Sequence, residues 1–244
     1  VPAGAMETHL EPVQVGAMQL HTSPEFGMKR VLAAGLPRIY QIVPCFREEE
    51  LGCHHSREFT MLEWYRAGAG TDELMDEVEA LIGVAAQAVG QPAPEFSRIA
   101  VSSLIADCGD PDDWFLKWVR DVEPRLDSPT IVHGYPEWQA ALARKRDGVA
   151  DRFEVYLSGV ELGNAFAEEL SGSELRGRLA ENNRDRIAEG RGPHPIDEDF
   201  LKAVDRMPRC AGIAIGLDRL VMVLCGMESI DEVQLQVRSP QSNG

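Results

Sequence analysis

A chain of 244 residues with 24 Lys and Arg against 40 Asp and Glu carries a formal charge of −16, and 44% hydrophobic residues give it the balance of a folded globular protein. That apolar content excludes disorder, and no run of about 18 apolar residues is present to cross a bilayer. The negative excess disfavours a nucleic-acid-binding module, because nonspecific affinity for phosphate backbones comes from Lys and Arg displacing counterions.

In chain order, Arg38 to Phe46 (RIYQIVPCF) reads as a strand, a polar stretch to Arg57 as a loop, and EFTMLEWYR as a second strand. Thr71 is placed to cap a helix in which Leu74, Met75, Val78, Leu81, Ile82 and Ala85 recur at helical spacing, ending near Gly90. Residues 91–150, with prolines, three tryptophans and mixed charge, read as a helical insertion. From Asp151, RFEVYLSGVELGNAF reads as a strand broken at Gly159 and Gly163, followed by a charged helix over 173–189 and a short helix from about Asp197 to Arg206. The chain then offers an apolar strand, AGIAIGL, running through Asp-Arg into a helix, LVMVLC, closed by Gly226. No repeat or linker interrupts residues 1–244. The expectation is one α+β domain on a largely antiparallel sheet.

Three groups of residues could carry chemistry. Beside the first hairpin, alternation places Arg47 with Glu49, and Phe59, Met61, Glu63 and Tyr65 on one face. A cation, carboxylates and aromatic rings together suit a nucleotide, although a solvated hairpin with incidental ion pairs has the same composition. In AGIAIGLDR, Ile213, Ile215 and Leu217 can anchor a core. Ala214, Gly216 and Asp218 form a small-residue face with room for a ligand, and Arg219 stands at a helix N-terminus where phosphate is favoured. In GVELGNAFAEEL, Glu161 and Glu168 flank Asn164 and could bind magnesium, which takes one or two carboxylates alongside phosphate oxygens and water.

Other chemistries fit poorly. Cys53-His54-His55 has no second half to make a zinc site, and no GxSxG elbow, Walker loop or Rossmann fingerprint is present. The five cysteines (Cys45, Cys53, Cys108, Cys210, Cys225) form no CxxC pair, and no secretory signal is read, so a reducing cytoplasm is expected.

An FRxE strand (Phe46, Arg47, Glu49), then EFTMLEWY, then GxAxGxDR (Gly212, Ala214, Gly216, Asp218, Arg219) occur in that order, and this resembles motifs 2 and 3 of the class II aminoacyl-tRNA synthetases. HTSPEFGMKR, GVELGNAF and HPIDEDFLKAV are similar to the lysyl branch. Within that branch the likeness is greatest to the truncated bacterial paralogues that ligate (R)-β-lysine to a lysine of elongation factor P. The resemblance implies an antiparallel sheet flanked by helices, ATP and Mg2+ as cofactors, and formation of an aminoacyl adenylate. It implies (R)-β-lysine or lysine as substrate, elongation factor P as acceptor, tRNA as an unlikely partner, no membrane, and a homodimer.

Carried over residue by residue, the resemblance makes Arg47 and Arg219 catalytic. Arg47, Glu48, Glu49, Ser56, Phe59, Glu161, Leu162, Gly216 and Arg219 would contact ATP. Ser23, Pro24, Glu25, Tyr65, Asn164, Glu168 and Ala214 would line the amino-acid site, and Glu161 with Glu168 would bind the metal. Ser56 and Arg57 depart from the family's usual Asn and Pro, which bears on the loop's nucleotide contact. Ala214 stands where lysyl-tRNA synthetases carry glycine and the paralogues alanine. Val1-Pro2 looks like the end of motif 1, so the usual N-terminal segment is expected to precede this chain. Two alternatives remain: a lysyl-tRNA synthetase core, or a non-catalytic synthetase-like regulatory subunit. The second is disfavoured by the presence of Arg47, Glu161, Glu168 and Arg219.

Overall fold

The computed structural model describes residues 10–48, 52–106 and 110–234. A two-stranded ribbon, β1 (Gln14–Val15) and β2 (Met18–Gln19), precedes helix α1 (Glu25–Ala33). The hairpin strands β3 (Arg38–Phe46) and β4 (Glu58–Ala67) lead to α2 (Thr71–Ala88). The next segment holds β5 (Ser97–Ala100), α3 (Val101–Leu104), α4 (Pro111–Lys117), a π-turn and a 3-10 turn, β6 (Thr130–Pro136) and β7 (Lys145–Arg146). Then come β8 (Val149–Leu157), β9 (Val160–Ala167), α5 (Gly172–Ala188), α6 (Glu198–Val204), β10 (Cys210–Gly216) and α7 (Leu217–Leu224). The main sheet runs β3-β4-β10-β9-β8-β6-β5, with β7 on β8, and every pairing in it is antiparallel except β5 with β6. No helix among the described residues is long and apolar enough to cross a membrane.

One sheet face packs Phe153, Val155, Ala165, Ile213 and Ile215 against Leu74, Val78 and Ile82 of α2 and Leu220, Met222 and Leu224 of α7. Alternation along a strand sends the intervening residues to the other face, where Tyr65 joins Met28 and Leu32 of α1, Leu175 and Leu179 of α5, and Phe200, Leu201 and Val204 of α6. That second face is only partly roofed, and the uncovered part holds the candidate site.

Three expectations need correction. Gly163 does not break a strand, because β9 runs through it against Ile215 and Val155, and a β-carbon there would collide with the Ala214 carbonyl. The break lies at Ser158-Gly159 alone, a two-residue hairpin turn with φ of 53° and 75°, both in the left-handed region that suits a right-twisted ribbon. Residues 91–150 are not a helical insertion: they add β5, β6 and β7 to the sheet and build a third apolar cluster around Trp114, Trp118 and Tyr135. Helix α2 is capped by Gly70, whose N–H donates to Glu73 Oε2 at 2.8 Å, while the Thr71 hydroxyl donates to Asp151 at 2.7 Å.

Candidate active site

Strand register builds the floor of the site. Glu154, Asn164, Ala214 and Glu63 are successive partners across β8, β9, β10 and β4, and the next row is Arg152, Phe166, Gly212 and Tyr65. Small residues on the central strand β10 keep the middle low, so polar side chains from its neighbours can converge over it. Two joined cavities result. The outer one, about 880 Å3, is lined by Arg47, His54, His55, Ser56, Phe59, Glu154, Glu161, Leu162, Asn164, Ala214, Gly216, Asp218 and Arg219, among others. The inner one, about 110 Å3, is lined by Ser23, Glu25, Glu63, Tyr65, Phe166, Glu168 and Gly212. Arg47, Met61, Asn164 and Ala214 belong to both walls.

In the outer cavity the two guanidinium groups, 172 positions apart in the chain, share one space. Arg47 follows the end of β3, its N–H donating to the Arg57 carbonyl at 2.9 Å and its guanidinium lying 5.1 Å from the centre of the Phe59 ring. Arg219 is fixed from two sides, donating through Nε to the His54 carbonyl at 2.9 Å and through a terminal nitrogen to the Glu161 carbonyl at 3.0 Å. Asp218 ties the base of β4, accepting from the Thr60 N–H.

The register shifts between Val155 and Tyr156, where Tyr156 pairs with Glu161. This bulge swings Glu161 onto the cavity face beside Glu154 while Leu162 stays buried in the core. Glu154 accepts from the Tyr135 hydroxyl at 2.5 Å, the Tyr156 hydroxyl at 2.7 Å and the Arg152 guanidinium. Burial, then the charge of Glu154, push Glu161 up to about 8, against the pull of Arg219. Glu161 and Glu168 are therefore not a pair. Seven residues of strand separate them by roughly 20 Å, and Glu168 lies in the inner pocket, bridged to Lys29 at 2.5 Å. The carboxylate that accompanies Glu161 is Glu154. Among the described residues no cluster of three or more His, Cys, Asp or Glu is arranged as a metal site. Two neighbouring carboxylates in the wall of this large cavity nevertheless fit magnesium, which completes its shell with substrate oxygens.

The inner pocket is strongly anionic. Glu63 accepts from Ser23 Oγ at 2.7 Å and from the Tyr65 hydroxyl, and the Glu25 N–H donates to Ser23 Oγ at 3.0 Å. Burial first, then the nearby Glu25, push Glu63 up to about 7. Two acceptors in this wall, Asn164 Oδ1 and Glu168 Oε1, are buried with no hydrogen-bond partner among the described residues. Orphaned acceptors among carboxylates are the complement of an N–H donor carrying positive charge.

Of the residues singled out in the sequence, Arg47, Ser56, Phe59, Glu161, Leu162, Gly216 and Arg219 line the outer cavity. Ser23, Glu25, Tyr65 and Glu168 line the inner pocket, and Asn164 and Ala214 border both. Pro24 and Glu48 line neither. Pro24 caps α1, and Glu48 turns to Arg57 at 3.3 Å on the surface. Glu49 and the Val1-Pro2 motif lie outside the described residues. Missed altogether were Glu154 and Lys29. Glu154 had a signal, an acid between the apolar pair Phe153 and Val155 and seven positions before Glu161; Lys29, four positions after Glu25, had only that spacing.

Comparison with known proteins now decides the family. The model for tRNA synthetases class II (D, K and N) matches residues 2–239. The chain belongs to that family. It is 38% identical over 247 residues to the elongation factor P–(R)-β-lysine ligase of Proteus mirabilis, covering 88% of this chain and 76% of the relative. It is 39% identical to the ligases of that name from Vibrio cholerae, over 89% and 76%, and from Klebsiella pneumoniae, over 88% and 76%. A class II synthetase-like ligase implies ATP as a substrate, and the α+β fold with its mostly antiparallel sheet accords with the family.

Proposed function

We propose that this protein activates (R)-β-lysine, or lysine, as its adenylate and transfers it to a lysine side chain of elongation factor P in the cytoplasm. The observation that carries the reading is the junction at Arg47. An anionic pocket fitted to ammonium groups opens past one guanidinium into a cavity holding a second guanidinium and a carboxylate pair. The two amines of the amino acid go to Glu25, Glu63 and Glu168, and its carboxylate turns outward to Arg47. ATP lies over Phe59 and Gly216, with its phosphates between Arg47 and Arg219. A carboxylate oxygen attacks the α-phosphorus, pyrophosphate leaves, and the acceptor's ε-amine then attacks the adenylate carbonyl and expels AMP. Catalysis comes from alignment and from offsetting charge on the phosphate oxygens. Mg2+, held by Glu161 with Glu154, would neutralise phosphate charge when bound. The protein is proposed to act as a homodimer.

The test is ATP–pyrophosphate exchange with (R)-β-lysine and lysine side by side, followed by transfer to elongation factor P or to tRNA. Exchange that prefers the β isomer, with label appearing on elongation factor P, is expected. Charged tRNA from α-lysine would instead make the chain a lysyl-tRNA synthetase core, and no exchange with either would remove the enzymatic reading.

A further inference from the structure

Lys29 lies outside both cavity walls, 1% exposed, and reaches two carboxylates from behind: Glu25 Oε1 at 2.6 Å and Glu168 Oε2 at 2.5 Å. Its ammonium is packed 5.1 Å from the Phe166 ring centre and 5.8 Å from that of Tyr65. We infer that Lys29 is a positioning residue that aims Glu25 and Glu168 and offsets part of their charge, so that the pocket selects a substrate with two ammonium groups. Once all three carboxylates, Glu25, Glu63 and Glu168, are ionised around a bound dication, they and one ammonium leave two negative charges. A diamino acid whose carboxylate is taken by Arg47 presents two positive ones. The other titratable groups facing the cluster are the Tyr65 hydroxyl and the Cys210 thiol, both pushed upward chiefly by burial and so neutral. Burial acts to lower Lys29, but the charges of Glu168 and Glu25 outweigh it and keep the ammonium protonated. Burial pushes Glu168 up to about 8 and the Lys29 ammonium is the chief pull against it, so without Lys29 the carboxylate set would hold its protons to still higher pH.

This inference rests on the proposed diamino-acid reading and is tested by exchange kinetics on the parent protein, Lys29→Met and Lys29→Arg between pH 6 and 9. In Lys29→Met the amino-acid KM at pH 7 should rise roughly tenfold. The pH below which that KM climbs should move up by about one unit, with the KM for ATP unchanged. Lys29→Arg should keep the parental pH profile whatever its absolute KM. A Met variant with an unmoved profile, or an Arg variant displaced as far as Met, overturns the inference. Should Lys29→Met fail to fold, calorimetry of the parent in two buffers of different ionisation heat counts protons expelled by the diamino acid at pH 7. Glu63 and Glu168, pushed up to about 7 and 8, allow about two at most; three would overturn it. An active parent indifferent to Lys29 removes this inference alone, whereas a parent inactive with every diamino acid removes the underlying reading as well.

Discussion

The inner pocket and the outer cavity share a wall but solve opposite electrostatic problems. The inner pocket gathers two buried acids, Glu63 and Glu168, and the half-buried Glu25 around one hidden lysine, an excess of acids over bases. The outer cavity, about eight times larger at 880 against 110 Å3, is lined by Arg47, Arg152, Arg178 and Arg219 as well as by Glu154 and Glu161. In the first, the protein strains against its own charge until a cation arrives; in the second, it waits for an anion. Their meeting point at Arg47 lets one substrate bring its positive end to the first and its carboxylate to the second.

The largest effect should come from the outer cavity, where Arg219 has no substitute. Arg219→Ala removes both the phosphate-facing charge and the ties to His54 and Glu161, and should cut exchange by roughly 10³ or more while leaving amino-acid binding by calorimetry in place. Arg47→Ala should abolish exchange and weaken both ligands, because it borders both spaces. Near-normal exchange in both variants would break the comparison at its centre.

Next in size is Glu63→Gln, which separates binding from stability. The folded pKa of Glu63, pushed up to about 7 from an ordinary 4.5, lies above its unfolded value, so the fold prefers it protonated. Its cost to the ligand-free protein is absent below about pH 4.5, grows as pH rises, and is complete above about pH 7, where 2.5 units amount to roughly 3 kcal/mol. Glu63→Gln should therefore raise the melting temperature relative to the parent at pH 8 by several degrees, show parity near pH 4.5, and raise the amino-acid KM roughly a hundredfold. A variant destabilised equally at both pH values would show that Glu63 is structural. In the parent, the amino-acid KM should climb as pH falls below about 7 while the ATP KM stays flat.

The glycines of β10 sharpen the contrast further. A β-carbon at Gly212 would run into the Tyr65 ring, so Gly212→Ala must displace the side chain that donates to Glu63. It should lower stability by about 1–3 kcal/mol and damage the inner pocket. At Gly216, φ is −70° and a β-carbon would meet Arg219 at an ordinary 3.6 Å. Gly216→Ala should therefore melt like the parent and lose roughly tenfold in ATP affinity, the methyl obstructing only a ligand laid on the backbone. Two glycines alike in sequence thus protect a side chain in one case and a ligand surface in the other.

Much of this was legible in the chain. The strands at 38–46 and 210–216, the helix from Thr71 and both arginines follow from alternation, helical spacing and a cation at a helix start. The shared cavity of Arg47 and Arg219 could be anticipated only through the family resemblance. What stayed hidden depends on contacts distant in sequence. The bulge that turns Glu161 toward Glu154 leaves no compositional trace, so a spacing of seven pointed to Glu168. The register against β10 makes Gly163 an interior residue, although glycine alone reads as a break. Trp114, Trp118 and Val122 recur at helical spacing in residues 91–150, and that helical stretch concealed the strands β5, β6 and β7 beside it. Nothing in the chain marks Lys29, whose role depends on Glu168, distant in sequence.

The smallest expected change is at Ala214, whose partners across the sheet are Glu63 on one side and Asn164 on the other. Its methyl stands where both cavities meet, between the carboxylates of the inner pocket and the guanidinium of Arg47. With the substrate carboxylate held at Arg47, an α-ammonium lies one carbon nearer that junction than a β-ammonium does. The methyl therefore crowds the α isomer more. Ala214→Gly should raise the ratio of kcat/KM for lysine over (R)-β-lysine by about three- to tenfold, the scale of one methyl in a tight pocket. Glycine in a strand interior should also cost the fold about 0.5–1 kcal/mol, seen as a small fall in melting temperature. Because that cost is shared by both substrates, it cancels in the ratio. A changed melting temperature with an unchanged ratio would mean that Ala214 is packing alone and that isomer choice is made deeper in the pocket, at Glu25 and Glu168.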